Sequence, residues 1–501
     1  MKKILLFLTV ILLGVHSMYA VVTWDGTSSE IWTQGTGTEA DPYLIETPAN
    51  LAYLSAQVAA GETYTGVYFL QIEDFDLQSK TWTPIGTSTY KFAGIYNGAN
   101  KYVSNIKTSQ YGLFGITENT KIMNLVFQGT FSGASTSAPL IGEAYGSTEI
   151  LNCHNFATIA DSKACAGLIA RAYGTSISLN NCSNHEGIKL SLYTSTGITE
   201  LAGLVAYATC NVTMVDCYNK GDLQSAASGL DYSYCGGLLG RSTADVTMLR
   251  CFNQGNIVAT EIYSNNFNTA IAAGLCGDGN SKYTSCYNIG NISTSVPKSG
   301  NGWSTRAYAY GLGAGKICIG CYVSATINAS ANYQYTYLFT SSGGTVESCY
   351  TIGAGTMPSM CSNVYHNQSS ITNGTYKSDI AFKDPSMIPL LNTIDDYFTM
   401  DLDGINDGYP ILKWQAGPRF TIIGSCDANR GTVKGGGEYA PGNTVTLTAT
   451  PKKGCTFVGW SDGNTDNPRT VTVEGDATYR AQFIKSSYTI YVNQDCTNYI
   501  E

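Results

Sequence analysis

Few residues of this sequence have the types and spacing that catalysis requires. Beyond residue 20 the chain contains only three histidines, His154, His185 and His366. The segment HEGIK at 185–189 lacks the second histidine of a zinc-peptidase helix and lies among strand-like segments. The sequence contains no GxSxG elbow, phosphate loop or dinucleotide fingerprint. It therefore predicts no assignable catalytic residue and no cofactor.

Acidic residues leave one enzymatic alternative open. A polysaccharide lyase or hydrolase needs clustered carboxylates on one outer face. Between Asp278 and Asp379 the only carboxylate is Glu347, so this stretch is a poor place for such a site. Asp216 and Arg250 occupy equivalent positions in adjacent repeats, which predicts a stacked surface ion pair.

The sequence also contains few patterns that are typical of metal sites. Cys318 and Cys321 form a CxxC, but no second pair at zinc-like spacing accompanies them. The stretch DLDGINDG at 401–408 offers oxygen ligands for calcium, although its spacing is not that of an EF-hand. The sequence thus predicts no metal site.

Aromatic residues provide the material for ligand binding. Exposed Tyr and Trp side chains beside Ser and Asn suit sugar rings or a protein partner. The candidate ligand-binding residues are Trp303, Tyr308, Tyr310, Tyr333 and Tyr335, with Tyr337 beside them. The alternative interpretation is that the alternate tyrosines of NYQYTYLF simply line one face of a strand.

These side chains must be positioned by internal repeats, which dominate the chain. A Gly-Leu motif recurs with its leucine at positions 113, 140, 168, 204, 238, 275, 312 and, in a degenerate copy, 338. A cysteine motif follows each of the leucines from 140 onward, with its cysteine at 153, 182, 217, 251, 286, 321 and 349. Repeats of this length are typical of solenoids, because one unit cannot bury its apolar side alone.

The repeats predict an all-β fold, a right-handed parallel β-helix. Each unit contains short segments rich in β-branched and aromatic residues, separated by Gly, Asn and Ser. Equivalent residues of successive coils then lie about 4.8 Å apart, and the Leu and Cys positions become interior ladders. Asn155, Asn184, Asn219, Asn253 and Asn288 follow their cysteines by two positions, so we expect stacked amides that hydrogen-bond along the axis.

The ends of the chain divide it into five segments. Residues 1–20 have the pattern of a secretory signal peptide, which predicts an exported protein with no membrane span after cleavage. Residues 21–64 form an N-terminal cap region, with a capping helix between Thr47 and Gly61. The β-helix is expected over 65–416, a small β-rich module over 417–485, and the start of another module or a tail over 486–501.

Two resemblances accompany this division. ADPYLIETPANLAYLSAQV, WTPIGT, YGLFG and the closing GYPILKWQ resemble the GLUG-motif surface proteins of Bacteroidetes and gut Firmicutes, over about residues 36–416. That family implies a bacterial adhesin-like protein, although the repeats also occur beside catalytic domains of immunoglobulin-A metallopeptidases. Residues 419–484 resemble a divergent internalin-type B repeat and depart from it at Cys455, where an aromatic residue is more usual.

The 16 cysteines include one best disulfide candidate, and the sequence also allows, without assigning partners, bridges to ladder members from the cysteines at 165, 210, 235, 276, 318 and 361. Ladder cysteines on neighbouring parallel strands have Cβ atoms near 4.8 Å apart, whereas a disulfide needs about 3.5–4.5 Å, so buried thiols are expected there. Cys426 and Cys455 both lie in the resembled B repeat, one at the point where the resemblance fails. They are the candidate pair on that ground.

Composition and repeats together favour a binding protein. A net charge of −9 argues against nucleic acid as a partner. Rigid repeats with outer segments of variable length build extended binding surfaces. We therefore expect a secreted or cell-surface, adhesin-like, non-enzymatic protein that binds a glycan or a host protein, with the polysaccharide-active enzyme as the alternative.

Overall fold

The computed structural model describes residues 21–133, 136–159, 165–193, 198–228, 232–262, 268–297, 305–339, 345–352, 370–372 and 375–486. The predicted signal peptide and the tail beyond 486 lie outside these residues. The chain forms two compact units, Met1–Tyr397 and Phe398–Glu501.

The first unit begins with short strands around one helix. These elements are β1 (Val22–Thr23), β2 (Tyr43–Ile45), α1 (Pro48–Ala60), β3 (Tyr68–Gln71), β4 (Phe75–Asp76), β5 (Thr81–Trp82), β6 (Ile95–Thr108), β7 (Phe114–Glu118) and β8 (Lys121–Ser132). Helix α1 confirms the predicted cap: Thr47 accepts a hydrogen bond from the Asn50 amide, and Gly61 ends the helix at φ 118°. Leu51, Leu54 and Val58 are fully buried on its inner face.

The regular coils follow, each made of up to five strands. They comprise β9 (Ile141–Tyr145), β10 (Ser147–Leu151), β11 (His154–Asn155), β12 (Thr158–Ile159), β13 (Ile169–Ala172), β14 (Ser176–Asn180), β15 (Ser183–Asn184), β16 (Ile188–Tyr193), β17 (Ile198–Ala202), β18 (Val205–Ala208), β19 (Asn211–Val215), β20 (Tyr218–Asn219), β21 (Leu223–Ser228), β22 (Tyr232–Gly236), β23 (Leu239–Leu249), β24 (Phe252–Asn253), β25 (Ile257–Glu261), β26 (Thr269–Ala273), β27 (Cys276–Thr284), β28 (Tyr287–Asn288) and β29 (Ile292–Ser295).

The last coils end in two short helices. They comprise β30 (Arg306–Tyr310), β31 (Ile317–Ile319), β32 (Tyr322–Val323), β33 (Ile327–Ser330), β34 (Tyr333–Tyr337), β35 (Thr345–Glu347), β36 (Tyr350–Ile352), β37 (Ser370–Thr372), β38 (Thr375–Lys377), α2 (Asp379–Phe382) and α3 (Met387–Leu391).

Successive coils pair in parallel and in register, which confirms the all-β parallel solenoid. Strand β10 pairs with β14 from Ser147–Ser176 to Leu151–Asn180. Strands β16, β21, β25, β29 and β33 form one lateral sheet, and β17, β22, β26, β30 and β34 form another. The right-handed sense of the solenoid stays a prediction.

The predicted ladders fill the interior. The anchor leucines from Leu113 to Leu312 are fully buried, and Leu338 packs against the same core. The seven ladder cysteines are buried as well. The asparagine amides are stacked as expected, with Nδ2 of Asn155, Asn184, Asn219 and Asn253 each donating to Oδ1 of the next at 2.7–2.8 Å.

Parallel strand pairs mark the two ends of the regular solenoid. Strand β1 already pairs in parallel with β4, so the cap region contributes to the first coil. At the other end, the last parallel strand pair of the solenoid is β36 with β38, and it ends at Lys377. Residues 398–416 belong to the second unit. After Lys377 the coils are replaced by helices α2 and α3 and by an antiparallel hairpin, because the repeated Leu and Cys positions end with Cys349.

The second unit is the predicted β-rich module, with a hairpin before it. Its elements are β39 (Phe398–Thr399), β40 (Ile411–Leu412), a 3-10 helix (Lys413–Gln415), β41 (Phe420–Cys426), β42 (Gly431–Lys434), β43 (Gly437–Tyr439), β44 (Thr444–Pro451), β45 (Cys455–Trp460), β46 (Arg469–Thr472) and β47 (Ala477–Lys485). Sheets β43–β41–β47–β45 and β42–β44–β46 bury Ile422, Leu447, Trp460 and Phe483 between them. Among the described residues, no helix is long and apolar enough to cross a membrane.

Candidate functional site

Two rows of outward side chains face each other where the last strand of one coil turns at Gly-Leu into the next strand. One row lies at the third position after each anchor leucine and consists of Glu143, Arg171, Tyr207, Arg241 and Asp278. The other row lies on the lateral sheet β17–β34 and consists of Glu200, Tyr234, Ile271, Tyr308 and Tyr335. We call these two rows the corner groove.

Arg241 is the centre of the corner groove. Its guanidinium lies 3.9 Å from the Glu200 carboxylate and 3.7 Å from the Asp278 carboxylate. The same guanidinium lies over two rings, with its central carbon 5.2 Å from the centre of Tyr234 and 5.6 Å from that of Tyr207. Both distances fit cation–π contacts.

These contacts show that the corner is concave. Outward side chains on two successive strands diverge at a convex corner and converge at a concave one. Arg241 on β23 reaches Glu200 on β17 and Tyr234 on β22, so the two rows converge. Glycine permits the sharp turn between them, because a Cβ on Gly237 would lie 1.8 Å from the Gly274 carbonyl oxygen.

Electrostatics in the groove are those of a partly dehydrated site. Burial raises the pKa of the Glu200 carboxyl above its ordinary value, against the opposing effect of Arg171 and Arg241. Burial also raises the pKa of Asp278, which Arg241 opposes. The Nε atom of Arg241 is buried and has no hydrogen-bond partner, because Asp278 at 3.7 Å is beyond hydrogen-bond distance. This nitrogen has no contact with solvent, but the Arg241 side chain as a whole is 24% exposed, so a ligand in the groove can contact that side chain.

The sequence-predicted tyrosines continue the second row. The Tyr308 and Tyr335 rings stack at 4.6 Å, and the Tyr310 and Tyr337 rings stack at 5.1 Å. Stacking covers ring faces, so this part of the row presents mainly ring edges and hydroxyl groups. Tyr333 is 52% exposed and Tyr310 is buried at 7%. Trp303 lies outside the described residues.

A second aromatic column occupies the position directly after the ladder cysteines. Phe252 lies between Tyr218 and Tyr287, with centroid distances of 4.8 Å and interplanar angles of 4° and 1°. Tyr322 continues the stack and contacts Phe382 of α2. Phe252, Tyr287 and Tyr322 are at most 1% exposed, so this column stabilises the fold and offers no ring face to a ligand.

The two histidines of the repeats, His154 and His185, belong to a partly buried network. His154 Nδ1 lies 2.7 Å from Ser183 Oγ, which lies 3.0 Å from His185 Nε2. Phe156 stacks on His185 at 3.9 Å. Burial lowers the pKa of His185 to about 4, and Lys220 adds to this effect. Ser183 is fully buried, so the network offers no accessible nucleophile.

Of two other residue pairs singled out in the sequence, one is in contact and the other is not. Asp216 and Arg250 form the expected ion pair between coils, bidentate at 2.6 and 2.8 Å. Cys426 and Cys455 are free thiols that the structure does not bring together. Cys426 lies opposite Ala481 and Cys455 opposite Lys485, on the two sides of strand β47, so a whole strand separates the cysteines.

Candidate metal ligands are few in the described part of the chain. The sulfur atoms of Cys318, Cys321 and Cys349 lie within 4.8 Å of one another and form the one group of three. In the 401–408 stretch, the Asp401 carboxylate instead accepts hydrogen bonds from the backbone amides of Ile405, Asn406 and Gly408. Its oxygens therefore stabilise a loop.

Of the ten groove residues, sequence reasoning found only Tyr308 and Tyr335. A signal was present, since the first row is the third residue after each of five consecutive anchor leucines. That pattern predicts a shared outer column, but not that the column faces Glu200 and Tyr234.

Comparisons with known proteins identify one module. Residues 425–487 match the family described as the divergent InlB B-repeat domain, which confirms the C-terminal resemblance. A protein of Evansella cellulosilytica named "Putative Gly-rich membrane protein" is 29% identical over 162 residues, covering 29% of this chain and 18% of that protein. The chain therefore spans less than a fifth of that relative's length, and no solved structure matches it. The resemblance to GLUG-motif proteins stays a prediction.

Proposed function

We propose that the protein is an exported, cell-surface or secreted binding protein whose corner groove binds a glycan. The single observation that carries the proposal is the convergence of Arg241, Glu200 and Asp278 between tyrosines in a concave corner. The InlB-type B repeat supports a surface location, because such repeats are typical of surface proteins. The N-terminal signal-peptide pattern supports export.

The chemistry of the groove fits sugar hydroxyls. A sugar hydroxyl both donates and accepts, and the groove offers a guanidinium donor beside two carboxylate acceptors. The Arg241 side chain is 24% exposed, so a ligand oxygen can approach it from solvent. Tyr207 is half-buried and supplies ring surface beside these groups, and the half-buried edges of Tyr308 and Tyr335 extend the surface along the axis, whereas Tyr234 is buried beneath Arg241.

A matched pair of arginine variants tests the groove. Arg241→Gln removes the charge at its centre, whereas Arg250→Gln removes a similarly exposed, ion-paired arginine that lies outside the groove. Loss of a charge-assisted contact costs about 1.5–3 kcal/mol, which corresponds to a roughly 10- to 150-fold weaker affinity. We expect the parent to bind a subset of a host and plant glycan array, Arg241→Gln to lose that binding, and Arg250→Gln to keep it.

Control measurements separate binding from folding and location. Circular dichroism and thermal melting should show that both arginine variants fold like the parent. If the folded parent binds no glycan, or if the two variants bind alike, the groove is not the binding site. N-terminal sequencing of the exported protein should begin at Val21 if the signal peptide is cleaved as predicted.

The groove also favours a second candidate, a polysaccharide-active enzyme. Glu200 and Asp278 lie on either side of Arg241, two coils apart, so their carboxyl groups are about 10 Å apart along the axis. This separation is near the upper end of the roughly 6.5–9.5 Å of inverting glycosidases, and a raised carboxyl pKa is a property of a general acid. Steady release of reducing or unsaturated sugar ends, abolished by Glu200→Gln with the fold intact, would replace the binding proposal with this one.

A further inference from the structure

We propose that Cys318 and Cys349 form a disulfide that joins two successive coils near the end of the solenoid. The two sulfur atoms are 3.4 Å apart, and both side chains are fully or almost fully buried. Neither residue belongs to the corner groove, so the proposal stands apart from the proposed function.

The repeat geometry explains why these two thiols meet. Four consecutive ladder cysteines direct their sulfur atoms toward the carbonyl oxygen of an interior residue in the preceding coil. These contacts are Cys182 to Ile150, Cys217 to Leu179, Cys251 to Met214 and Cys286 to Met248, at 3.4–3.6 Å. Cys349 makes the same contact with the carbonyl of Cys318, also at 3.4 Å.

Only the residue type differs at this last contact. In the four earlier coils the interior residue has a hydrocarbon or thioether side chain, which cannot react with the ladder thiol. Cys318 occupies the equivalent position, three residues before Cys321, and pairs with Tyr283 of the preceding coil. The repeat therefore places the Cys318 thiol next to the Cys349 sulfur.

Pairing within the ladder is less favourable. Ladder neighbours such as Cys321 and Cys349 hold equivalent positions on paired strands, so the coil spacing of about 4.8 Å separates their Cβ atoms. A disulfide needs Cβ atoms about 3.5–4.5 Å apart. Cys318 and Cys349 belong to different ladders, and no strand pairing holds them at that spacing.

A metal ion fits the three sulfurs less well than a disulfide does. Zinc would take Cys318, Cys321 and Cys349 as thiolates and leave one net negative charge in an apolar interior. Structural zinc is almost always four-coordinate, and the described residues supply no fourth ligand within 4.8 Å of this group. A disulfide is neutral and needs no further ligand.

The oxidant is a disulfide, protein-borne or of low molecular weight, that the chain meets while it folds outside the cytoplasm. The thiolate of one cysteine attacks the oxidant and releases one of its sulfurs as a thiol. The thiolate of the other cysteine then attacks the mixed disulfide and releases the second. The protein loses two protons and two electrons, and the oxidant is reduced to two thiols.

Peptide mapping tests the linkage directly. The full chain is prepared twice, once by export from cells and once by refolding in a glutathione redox buffer, and is alkylated in denaturant without reductant. Trypsin and a glutamate-specific protease cut after Lys316 and Glu347, which places Cys318 and Cys349 in different peptides. We expect these two peptides to remain linked, with a mass 2 Da below that of the two reduced peptides, until reductant separates them.

Three cysteine variants assign the partners. Cys318→Ser should abolish the linkage, whereas Cys321→Ser and Cys361→Ser should retain it. Free thiols at 318 and 349 in both preparations would overturn the proposal. A Cys321–Cys349 linkage would overturn it too, as would one bound zinc per chain with all three thiols reduced. The refolded preparation does not depend on export, so a failure of the proposed location is distinguishable from a failure of the disulfide.

Discussion

Replacing Asn219 with alanine should destabilise the solenoid far more than the loss of one surface amide. Asn219 is fully buried in the middle of the asparagine ladder. Its Oδ1 accepts from Asn184 at 2.8 Å, and its Nδ2 donates to Asn253 Oδ1 at 2.7 Å and to the Gly221 carbonyl at 2.8 Å. Removing the amide deletes three buried hydrogen bonds and leaves partners that water cannot reach.

The magnitude follows from these contacts. At about 1 kcal/mol for each buried partner that loses its bond, Asn219→Ala should lower the free energy of unfolding by about 3 kcal/mol. Asn256 is the matched control, because its amide donates to Asp222 at 3.0 Å and accepts from the Asn291 amide at 3.1 Å, both in solvent-exposed positions. Asn256→Ala should cost about 1 kcal/mol or less, since water replaces the lost partners.

Urea unfolding followed by circular dichroism measures both variants. The double variant Asn219→Ala, Asn253→Ala should lose less than the sum of the two single variants, because the two amides share one hydrogen bond. If Asn219→Ala and Asn256→Ala lower stability equally, the ladder contributes no more than surface amides, and our account of it is wrong.

Two further perturbations test the interior and the histidine network. Leu204→Asp should prevent folding, because Leu204 is fully buried and an unpaired charge is not tolerated there; an unchanged melting curve would refute the assignment of inside and outside. The pKa of His185 is lowered to about 4 in the folded chain, so between pH 6.5 and 4 the unfolded chain binds a proton that the folded chain does not. Stability should therefore fall as the pH falls through this range, by up to roughly 3 kcal/mol. His185→Gln should flatten the pH dependence of the unfolding free energy, and parallel pH profiles for variant and parent would contradict this assignment.

The interior of the solenoid could be predicted from sequence because parallel stacking converts a repeated position into a column. Leu204, Cys217 and Asn219 hold fixed places in the repeat, and each is buried in the ladder expected for it. Local signals were equally sufficient for helix α1, where Thr47 and Gly61 satisfy backbone groups within a few residues and Pro48 fits the first helical position because it has no N–H. These features depend on residue spacing and on local hydrogen bonding, and both can be inferred from the sequence.

The corner groove and the contact between Cys318 and Cys349 depend instead on how neighbouring strands are oriented relative to one another. Arg241 is the third residue after Leu238, and this position places it in an outer column. The spacing of residues in the sequence does not show whether that column points away from Glu200 or faces it. The close backbone approach at the Gly-Leu turns sets that angle, and it brings together side chains that are 41 residues apart in sequence. Cys318 and Cys349 likewise belong to separate ladders, and only the direction of the ladder sulfur, fixed by a carbonyl of the preceding coil, brings them into contact. Sequence determines which residues share a column, and the tertiary structure decides which columns meet, because that depends on packing between strands.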